Sequence, residues 1–432
     1  MALAEVVADL LGSKVPLAVA AFDGSRAGPA QPVATVVLRS PDALARILTR
    51  PGELGLSRAY VAGDLDIEGD IYAVLDLDVA PSDLRIGPGR AIELLRQAGP
   101  SALRVLPPPP EEARLRGSRH SRGRDRRSIS HHYDVSNDFY ELVLGPSMTY
   151  SCAVFDQPDD SLEAAQTHKH ELVCAKLGLE PGMRLLDVGC GWGSMAIHAA
   201  ARHGTRVVGV TLSTEQHQRA TKRVADHGLS DLVEIRFQDY RDVADGPFDA
   251  ISSIGMFEHV GRRRMAEYFD RLLGLLRPGG RLLNHAIGRP GTPPATTAAG
   301  RARATGRQLS GAAGLRGPSR IKSPFMERYV FPDGELHEVG TVVSMMQNHG
   351  FEVRHVESLR EHYPLTLRRW VANLEANWDD AQSEVGPGRA RVWRLYMAAS
   401  ALGFERHRLE IHQVLAVRPD GGRSTMALRN RF

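Results

Sequence analysis

Residues 184–193 read Arg-Leu-Leu-Asp-Val-Gly-Cys-Gly-Trp-Gly, and this stretch decides the fold. An apolar strand leads into a turn at Gly189, Gly191 and Gly193, where the lack of side chains lets the backbone bend tightly and approach a ligand. Residues 194–201 then have the pattern of a helix. The turn therefore lies between the carboxyl end of a strand and the amino end of a helix, where open α/β sheets bind nucleotides.

The glycine spacing alone fits several cofactors, and the next strand narrows the choice. A dinucleotide-binding fold expects an acidic residue about 20 residues further on, at the end of the second strand, where it holds a ribose. Here that strand ends in Thr211 and Ser213. Together with Asp187 before the glycine turn, this pattern favours S-adenosylmethionine over NAD.

Predicted strands and helices alternate around this turn. The strands cover 184–188, 206–211, 233–237, 248–254, 281–287, 351–357 and 410–417, and the helices cover 194–203, 214–227, 263–276, 338–349, 365–382 and 389–405. This alternation implies βαβ units and a mostly parallel sheet. We predict an α/β fold of the class I methyltransferase type, in which a Rossmann-like, seven-stranded mixed sheet has helices on both faces. A small amino-terminal α+β domain precedes it.

Composition sets outer bounds for the 432-residue chain. With 42% hydrophobic and 24% charged residues, it can bury a large core. No stretch approaches the roughly 20 uncharged apolar residues of a membrane-spanning helix, and residues 1–22 lack the basic start of a signal peptide, so we expect a cytoplasmic protein. The three cysteines form no C-x-x-C pair, which argues against disulfides and a structural zinc site; we predict no metal.

Two basic tracts divide the chain. Residues 107–128 contain four prolines and then seven arginines, and we interpret them as a linker between an amino-terminal domain at 1–106 and a methyltransferase domain at 129–432. Residues 289–320 are rich in Gly, Ala and Arg and read as a flexible insertion. The first tract is either a solvated tether or a surface for anionic lipid or nucleic acid, and the second is either a lid or an unstructured insertion. Nucleic-acid binding is disfavoured because both tracts lack interleaved aromatic residues.

Four separated motifs carry a family resemblance. They are the segment from His-Tyr-Asp at 132–134 to Tyr-Ser-Cys-Ala at 150–153, Leu-Asp-Val-Gly-Cys-Gly-Trp-Gly at 186–193, Gly-Met-Phe-Glu-His-Val-Gly at 255–261, and Arg-Tyr-Val-Phe-Pro-Asp-Gly-Glu-Leu at 328–336. Residues 128–417 thereby resemble the cyclopropane-fatty-acyl-phospholipid synthase family, which includes mycolic-acid cyclopropane synthases and tuberculostearic-acid-pathway methyltransferases. Residues 59–67 resemble the extra domain of longer members, which is linked to lipid engagement and oligomer formation.

The resemblance implies a catalytic site in which a bound bicarbonate ion is the base. The family holds this ion beside the transferred methyl group, and the matching positions are Cys152, Glu258, His285, Ile287 and Tyr363. Glu258 and His285 stand at the carboxyl ends of predicted strands, where such sheets carry out chemistry. From the residues alone, His285 fits a packed core histidine equally well, and Glu258 fits a helix cap.

The resemblance also implies the cofactor contacts. The matching positions are Tyr150, Ser151, Asp187, Gly189, Cys190, Gly191, Gly193, Thr211, Gln216, Gln238 and Asp239. Many members have a cysteine in the late helix once proposed as a nucleophile, whereas Ser400 stands there in this chain. This difference favours direct methyl transfer over a thiol intermediate.

Methyl transfer from a sulfonium to an isolated cis double bond generates a carbocation, which requires aromatic faces and one base. We therefore predict an S-adenosylmethionine-dependent C-methyltransferase acting on an unsaturated acyl chain of a membrane phospholipid. Peripheral contact with the inner face of the membrane is expected, and a homodimer is left open. The product is a cyclopropane or a mid-chain methylene; the extra domain, the 289–320 tract and the acid Glu141 favour the methylene. The alternatives are a methyltransferase acting on another small molecule and a nucleic-acid-binding protein.

Overall fold

The computed structural model describes residues 2–12, 16–77, 93–94, 96–97, 99–113, 123–124, 136–291, 323–430 and 432, and all structural statements refer to these. The predicted motif at 132–134, most of the 107–128 tract and nearly all of the 289–320 tract lie outside them. The chain divides into two compact units. The first consists of Met1–Arg114, Gly291–Pro332 and Trp378–Leu402, and the second of Leu115–Pro290, Asp333–Asn377 and Gly403–Phe432.

The first unit contains a four-stranded sheet in the order β2-β1-β3-β4. The elements of its amino-terminal part are α1 (Leu3–Leu11), β1 (Leu17–Ala21), β2 (Arg26–Ala27), β3 (Ala34–Leu38), α2 (Pro41–Thr49), α3 (Glu53–Val61), β4 (Leu65–Gly69) and α4 (Ile71–Leu75). Strands β1 and β3 are parallel, whereas β2 and β4 are antiparallel to their neighbours. This mixed arrangement is the α+β organisation predicted for the amino-terminal domain.

The second unit is built on a seven-stranded sheet. From residue 137 onward, the elements of the chain are α5 (Asn137–Leu144), α6 (Leu162–Leu177), β5 (Arg184–Val188), α7 (Ser194–His203), β6 (Arg206–Thr211), α8 (Thr214–Asp226), β7 (Val233–Phe237), β8 (Phe248–Ile254), α9 (Met265–Leu275), β9 (Leu276–Gly288), α10 (Val339–Asn348), β10 (Glu352–Ser358), α11 (His362–Ala376), α12 (Trp378–Val385), α13 (Pro387–Glu405) and β11 (Glu410–Val417). The sheet order is β10-β11-β9-β8-β5-β6-β7.

Strand directions in this sheet confirm the predicted Rossmann-like fold. Strands β5 to β9 are parallel, and β11 is antiparallel to both β9 and β10. Two predicted elements differ from the structure by more than two residues. Strand β9 begins at Leu276 rather than at residue 281, because Leu276 already pairs with Phe248 before a register shift. The helix predicted at 365–382 is two helices, α11 and α12, divided at Asn377.

Helices cover both faces of the central strand β5. Leu185 belongs to an apolar cluster with residues of α6 and α7, whereas Leu186 and Val188 belong to another with residues of α9 and α10. Successive residues of a strand point to opposite faces, so a strand covered on both sides is apolar throughout. The second cluster includes the ring contact between Phe257 and Tyr268, which anchors the turn after β8.

The division into units differs from the predicted boundaries at two places. The described residues 323–332 and residues 378–402 were predicted to belong to the methyltransferase domain, yet both join the first unit. Two arginines of α13 explain the second difference. Arg391 donates to the Asp66 carboxylate at 3.1 Å, and Arg394 donates to the carbonyl oxygens of Ile67 and Gly69 at 3.1 and 3.2 Å. These long-range contacts leave no local signal in the sequence.

Candidate active site

A cavity opens at the carboxyl ends of β5, β6, β7 and β8, beside the glycine turn. Of the predicted cofactor residues, those lining it are Tyr150, Ser151, Asp187, Gly189, Cys190, Gly191, Thr211, Gln216, Gln238 and Asp239. Gly193 is not among the lining residues. It begins α7 with a φ of +82°, and a Cβ added there would lie 3.3 Å from the Ala220 Cβ, so Gly193 serves helix packing.

The other two glycines shape the cavity floor. Gly189 and Gly191 have φ values of +77° and +55°, a region that favours glycine. A Cβ added to Gly189 would lie 2.9 Å from the Met256 Cγ, whereas one added to Gly191 would meet no atom within 4 Å. The turn thus leaves open space directly above its backbone, as close approach of a bulky ligand requires.

Asp187 and Lys169 place two buried ionisable groups in the cavity wall. One Asp187 oxygen accepts a hydrogen bond from the Ser252 hydroxyl at 2.7 Å, and the other, Oδ2, has no partner among the described residues. The Lys169 ammonium donates to the Ser151 hydroxyl at 3.0 Å. Burial raises the pKa of Asp187 to about 6 and lowers the pKa of Lys169 to about 7. The free Asp187 oxygen suits an ammonium ligand, and Lys169 suits a carboxylate.

The following strands contribute polar contacts at the same edge. The Thr211 hydroxyl donates to Gln216 Oε1 at 2.8 Å, which fixes the orientation of that buried amide. Gln238 Nε2 donates to a backbone carbonyl at 3.0 Å. Asp239 is paired with Arg241, whose Nε and Nη2 lie 2.9 and 2.6 Å from its two oxygens.

Glu258 and Ile287 form the first part of the predicted base-holding site. Glu258 lies in a short 3-10 turn after β8, and its Oε1 accepts a hydrogen bond from the Ile287 backbone N–H at 2.7 Å. Its other oxygen, Oε2, is buried and has no hydrogen-bond partner among the described residues. Burial raises the pKa of Glu258 to about 7. A carboxyl group with this pKa is available as a hydrogen-bond donor near neutral pH.

His285 stands two residues before Ile287 on the same strand, and therefore on the same face of the sheet. Its side chain is fully buried, and burial lowers its pKa well below the usual value, so the ring is neutral. Its Nδ1 lies 3.1 Å from Gln413 Nε2, whereas Nε2 has no partner among the described residues. Glu258 and His285 thus each present one unpartnered buried polar atom.

Cys152 and Tyr363 are both buried where residues 150–153 pack against α11. The Cys152 thiol lies 3.8 Å from the Leu359 carbonyl oxygen, and burial raises its pKa far above the usual value. The backbone N–H of Ala153 donates to the Thr366 hydroxyl at 3.1 Å. Tyr363 packs against Phe404, with 4.7 Å between ring centroids. The Cys152 thiol is therefore held neutral.

None of the five predicted base-holding residues is among those that line the cavity. Three of them are next to lining residues. Met256 and His259, close to Glu258 in the chain, both line the cavity, as do Ser151, next to Cys152, and Ile254, the cross-strand partner of His285. The structure therefore places Cys152, Glu258 and His285 beside the cavity.

Aromatic rings of α5 and α11 pack against Tyr150 and Trp192, two rings that line the cavity. Tyr150 lies 5.3 Å from Trp370 and 6.0 Å from Tyr140, and Tyr140 lies 4.4 Å from Trp192, measured between ring centroids. The Trp192 indole N–H donates to Asn137 Oδ1 at 2.7 Å, which fixes that ring. Such π faces attract a developing positive charge.

Sequence reasoning missed Lys169, His170 and Trp370. All three are buried, and Lys169 and His170 line the cavity. A signal for Lys169 was present: it stands four residues after Ala165 and four before Val173, on the face of α6 whose spacing marks it as buried. A lysine on such a face needs a functional or electrostatic reason.

The structure also shows the surroundings of three other residues discussed from the sequence: Glu141, Ser400 and Arg124. Glu141 is half-exposed and accepts a hydrogen bond from Arg219, so it is a surface ion pair rather than an extra acid of the reaction site. Ser400 lies in the first unit. Arg124 of the 107–128 tract donates to both Asp333 oxygens at 2.6 and 2.8 Å and is largely buried, so this arginine is not a solvated lipid contact.

The seven-stranded sheet and its cavity define a class I, S-adenosylmethionine-dependent methyltransferase. A family model described as mycolic acid cyclopropane synthetase matches residues 120–414, and the chain belongs to that family. It is 47% identical to a probable fatty acid methyltransferase of Mycobacterium tuberculosis over 416 residues, which cover 94% of this chain and 92% of that protein. It is 34% identical to a tuberculostearic acid methyltransferase of the same organism over 414 residues, covering 94% and 88%.

A solved structure agrees with this assignment. The crystal structure of a mycolic acid cyclopropane synthase complexed with SAH and CTAB is 32% identical and covers 67% of this chain and 97% of its own, with a TM-score of 0.60. Among the described residues, the helices are all too short or too polar to cross a membrane.

Proposed function

We propose that the protein transfers a methyl group from S-adenosylmethionine to the cis double bond of an unsaturated fatty acyl chain in a phospholipid. The observation that carries this proposal is the pair of buried polar atoms, Glu258 Oε2 and His285 Nε2, that have no hydrogen-bond partner in the part of the chain that the structure describes. The alkene is itself the nucleophile and does not have to be ionised before it attacks the methyl group. The site instead needs a base that accepts a proton after the methyl group is transferred.

The two atoms fit a bicarbonate ion. A protonated Glu258 and a neutral His285 can each donate one hydrogen bond to an anion, and unpaired buried donors are otherwise costly. Bound there, bicarbonate would supply a base that carries its own charge. Glu258 also accepts from the Ile287 backbone, so its carboxyl group is oriented before any ion arrives.

The cofactor would be held at the glycine turn. When bound, S-adenosylmethionine supplies an electrophilic methyl group. Asp187 would accept from its ammonium, Lys169 would pair with its carboxylate, and the ring of Tyr150 would cover the methyl side of the cavity. The neighbouring rings of Trp370 and Tyr140 would favour the positive charge that develops on the acyl chain.

We favour a mid-chain methylene product over a cyclopropane. The support is the extent of the likeness: relatives named as a fatty acid methyltransferase and a tuberculostearic acid methyltransferase match over 94% of this chain. Glu141 gives no support, because it is an exposed ion pair. The two products differ in which carbon loses its proton to the base.

We further propose that the protein binds peripherally to the cytoplasmic face of a membrane, either as a monomer or as a homodimer. A double bond in the middle of a phospholipid chain must rise from the bilayer into a protein that docks on its surface. Co-sedimentation with anionic and zwitterionic vesicles measures the docking, and sedimentation velocity measures the assembly. A protein that methylates phospholipid without binding either vesicle would contradict this part.

The decisive experiment uses S-adenosylmethionine with an isotopically labelled methyl group and a dioleoyl phospholipid in vesicles, with bicarbonate added or removed. We expect labelled acyl chains whose vinylidene protons resonate downfield in NMR spectra. Upfield cyclopropane protons would reverse the product assignment. Labelling of a soluble amine or phenol, with none of the phospholipid, would reject the substrate class.

A further inference from the structure

A row of side chains crosses three strands behind the cavity. In the sheet register, Glu357 of β10 is opposite Gln413 of β11, and Gln413 is opposite His285 of β9. Lys176 of α6 reaches this row from the helix packed on that face. Its ammonium donates to Gln413 Oε1 at 2.6 Å and also to the Glu357 carboxylate. Lys176, Gln413 and His285 are all fully buried.

These contacts fix the proton on the imidazole. A lysine can only donate, so the Gln413 oxygen must face Lys176 and the Gln413 NH₂ must face His285. That NH₂ lies 3.1 Å from Nδ1, which must therefore accept. A neutral imidazole that accepts at Nδ1 carries its proton on Nε2. The free Nε2 is thus a donor.

We propose that Lys176 and Gln413 are positioning residues that lock His285 in its Nε2–H tautomer, so that it donates a hydrogen bond to the catalytic anion. This inference rests on the proposed function for the identity of the anion. The wrong tautomer would present a lone pair to the anion and repel it. Glu357, whose side chain is partly exposed, completes the row and orients the buried Lys176 ammonium.

The test combines NMR spectroscopy with turnover. In the wild-type protein with ¹⁵N-labelled histidine, two-bond ¹H–¹⁵N spectra should show a neutral Nε2–H ring that disappears in His285→Gln. Gln413→Glu offers Nδ1 only acceptors, so we expect an Nδ1–H or doubly protonated ring. Turnover should then fall at least a hundredfold, with the S-adenosylmethionine dissociation constant changed less than threefold. The exposed Gln218→Glu is the matched control.

A wild-type Nδ1–H ring would overturn the inference, whatever the variants do. So would Gln413→Glu with normal turnover and an unchanged tautomer. Failure of the proposed function is distinguishable, because a wild-type protein that methylates no acyl chain still reports the tautomer of His285. A Gln413→Glu protein that does not fold leaves the wild-type spectrum as the deciding measurement.

A second cluster, on the helices α6 and α7, has the donor set of a zinc site. The ligand atoms of Cys174, His198 and His203 all lie within 4.8 Å of one another. Glu171, three residues before Cys174, joins the two imidazoles: His198 Nε2 lies 3.0 Å from one of its oxygens, and His203 Nε2 lies 3.2 Å from the other. No zinc site was expected from the sequence because its cysteines form no C-x-x-C pair. This set of ligands has only a single cysteine, Cys174.

The distances between the Glu171 oxygens and the two imidazole nitrogens suit ligands of a tetrahedral ion. Zn–N and Zn–O bonds of about 2.0–2.1 Å place neighbouring ligand atoms roughly 3.3 Å apart, close to the two Glu171–imidazole distances. Cys174 closes the inner side, and Glu171, about half-exposed, leaves an entry path from solvent.

We infer that Cys174, His198, His203 and Glu171 form a binding site for a zinc-like divalent cation that joins α6 to α7. Binding releases the thiol proton of Cys174 to solvent, and the ion replaces the hydrogen bonds that now join Glu171 to the imidazoles. Both helices contribute residues to the cofactor cavity, namely Lys169 and His170 from α6 and Ser194 and Met195 from α7. The ion would thus brace that wall without taking part in the reaction.

Cobalt(II) titration of the full-length, chelator-treated protein tests this site. We expect one equivalent to give a thiolate-to-cobalt absorption band, zinc to displace it, and zinc to raise the thermal unfolding midpoint. Cys174→Ser should abolish the band, and His203→Ala should weaken binding at least tenfold. His227→Ala, which changes an exposed histidine outside the cluster, should do neither. No thiolate band in the wild-type protein, or a band that survives in Cys174→Ser, would overturn the site.

Discussion

The two sides of the active site are built by different means. On the proposed cofactor side, a glycine turn and successive strand ends supply most of the residues that line the cavity, and polar pairs such as Thr211–Gln216 are close in the chain. On the base side, His285 is held by Gln413, which is in turn held by Lys176. Local backbone geometry defines the first side, and a row of distant side chains defines the second. The base side should therefore be more sensitive to single substitutions.

The largest expected effect is on turnover, on the base side. Glu258→Gln keeps the shape, can still accept from Ile287 and can still donate a hydrogen bond to the anion, but it cannot take up a proton passed on from the bicarbonate. We expect turnover to fall roughly 10²- to 10⁴-fold, the range of general acid–base contributions, with cofactor affinity nearly unchanged. Steady-state rates and calorimetric S-adenosylmethionine titrations measure the two quantities. Unchanged turnover would show that Glu258 acts on the base through its hydrogen bond at most and passes on no proton.

The same substitution should stabilise the protein at alkaline pH. Below the ordinary pKa of 4.5, Glu258 is protonated in both the folded and the unfolded chain. Between 4.5 and the folded value of about 7, the unfolded chain releases its proton and the folded one does not, so rising pH favours unfolding. Above about pH 7, both chains are ionised, and the buried carboxylate lowers the free energy of unfolding by its full amount, roughly 3 kcal/mol.

We therefore expect the free energy of unfolding of Glu258→Gln to exceed that of the wild-type protein at pH 8 and to match it near pH 4.5. Urea denaturation across this range measures the difference. A variant less stable than the wild-type protein at pH 8 would show that the ionised carboxylate is stabilised by partners in the folded state.

Lys169→Met gives a smaller effect, on the cofactor side. We expect the dissociation constant for S-adenosylmethionine to rise about tenfold, which corresponds to roughly 1.4 kcal/mol, because the cofactor carboxylate loses a buried counter-ion. Affinity in the wild-type protein should fall as pH rises through about 7, where Lys169 loses its proton. Calorimetry at pH 6 and 8.5 tests both points. Lys222→Met, at an exposed lysine, is the control and should keep the pH dependence.

The same contrast between local geometry and distant side chains explains which parts of this site could be predicted from the sequence. The glycine turn and most strand bounds follow local patterns, and the structure has them nearly where the patterns place them. The resemblance also pointed to Glu258 and His285. The sequence could not show that Gln413 faces His285, because the register of β9 and β11 depends on packing of segments more than 100 residues apart. The same reason hid the joining of residues 378–402 to the first unit.

The smallest expected effect comes from Thr211→Val. The Thr211 hydroxyl orients Gln216 at 2.8 Å, and both residues line the cavity. Removing one neutral hydrogen bond costs about 1 kcal/mol, so we expect a cofactor dissociation constant raised about fivefold and turnover at saturation unchanged. Thr221→Val, on the exposed face of α8, is the matched control. A large loss of turnover at saturating cofactor would show that this side also holds the reacting groups through side chains, and the contrast between the two sides would fail.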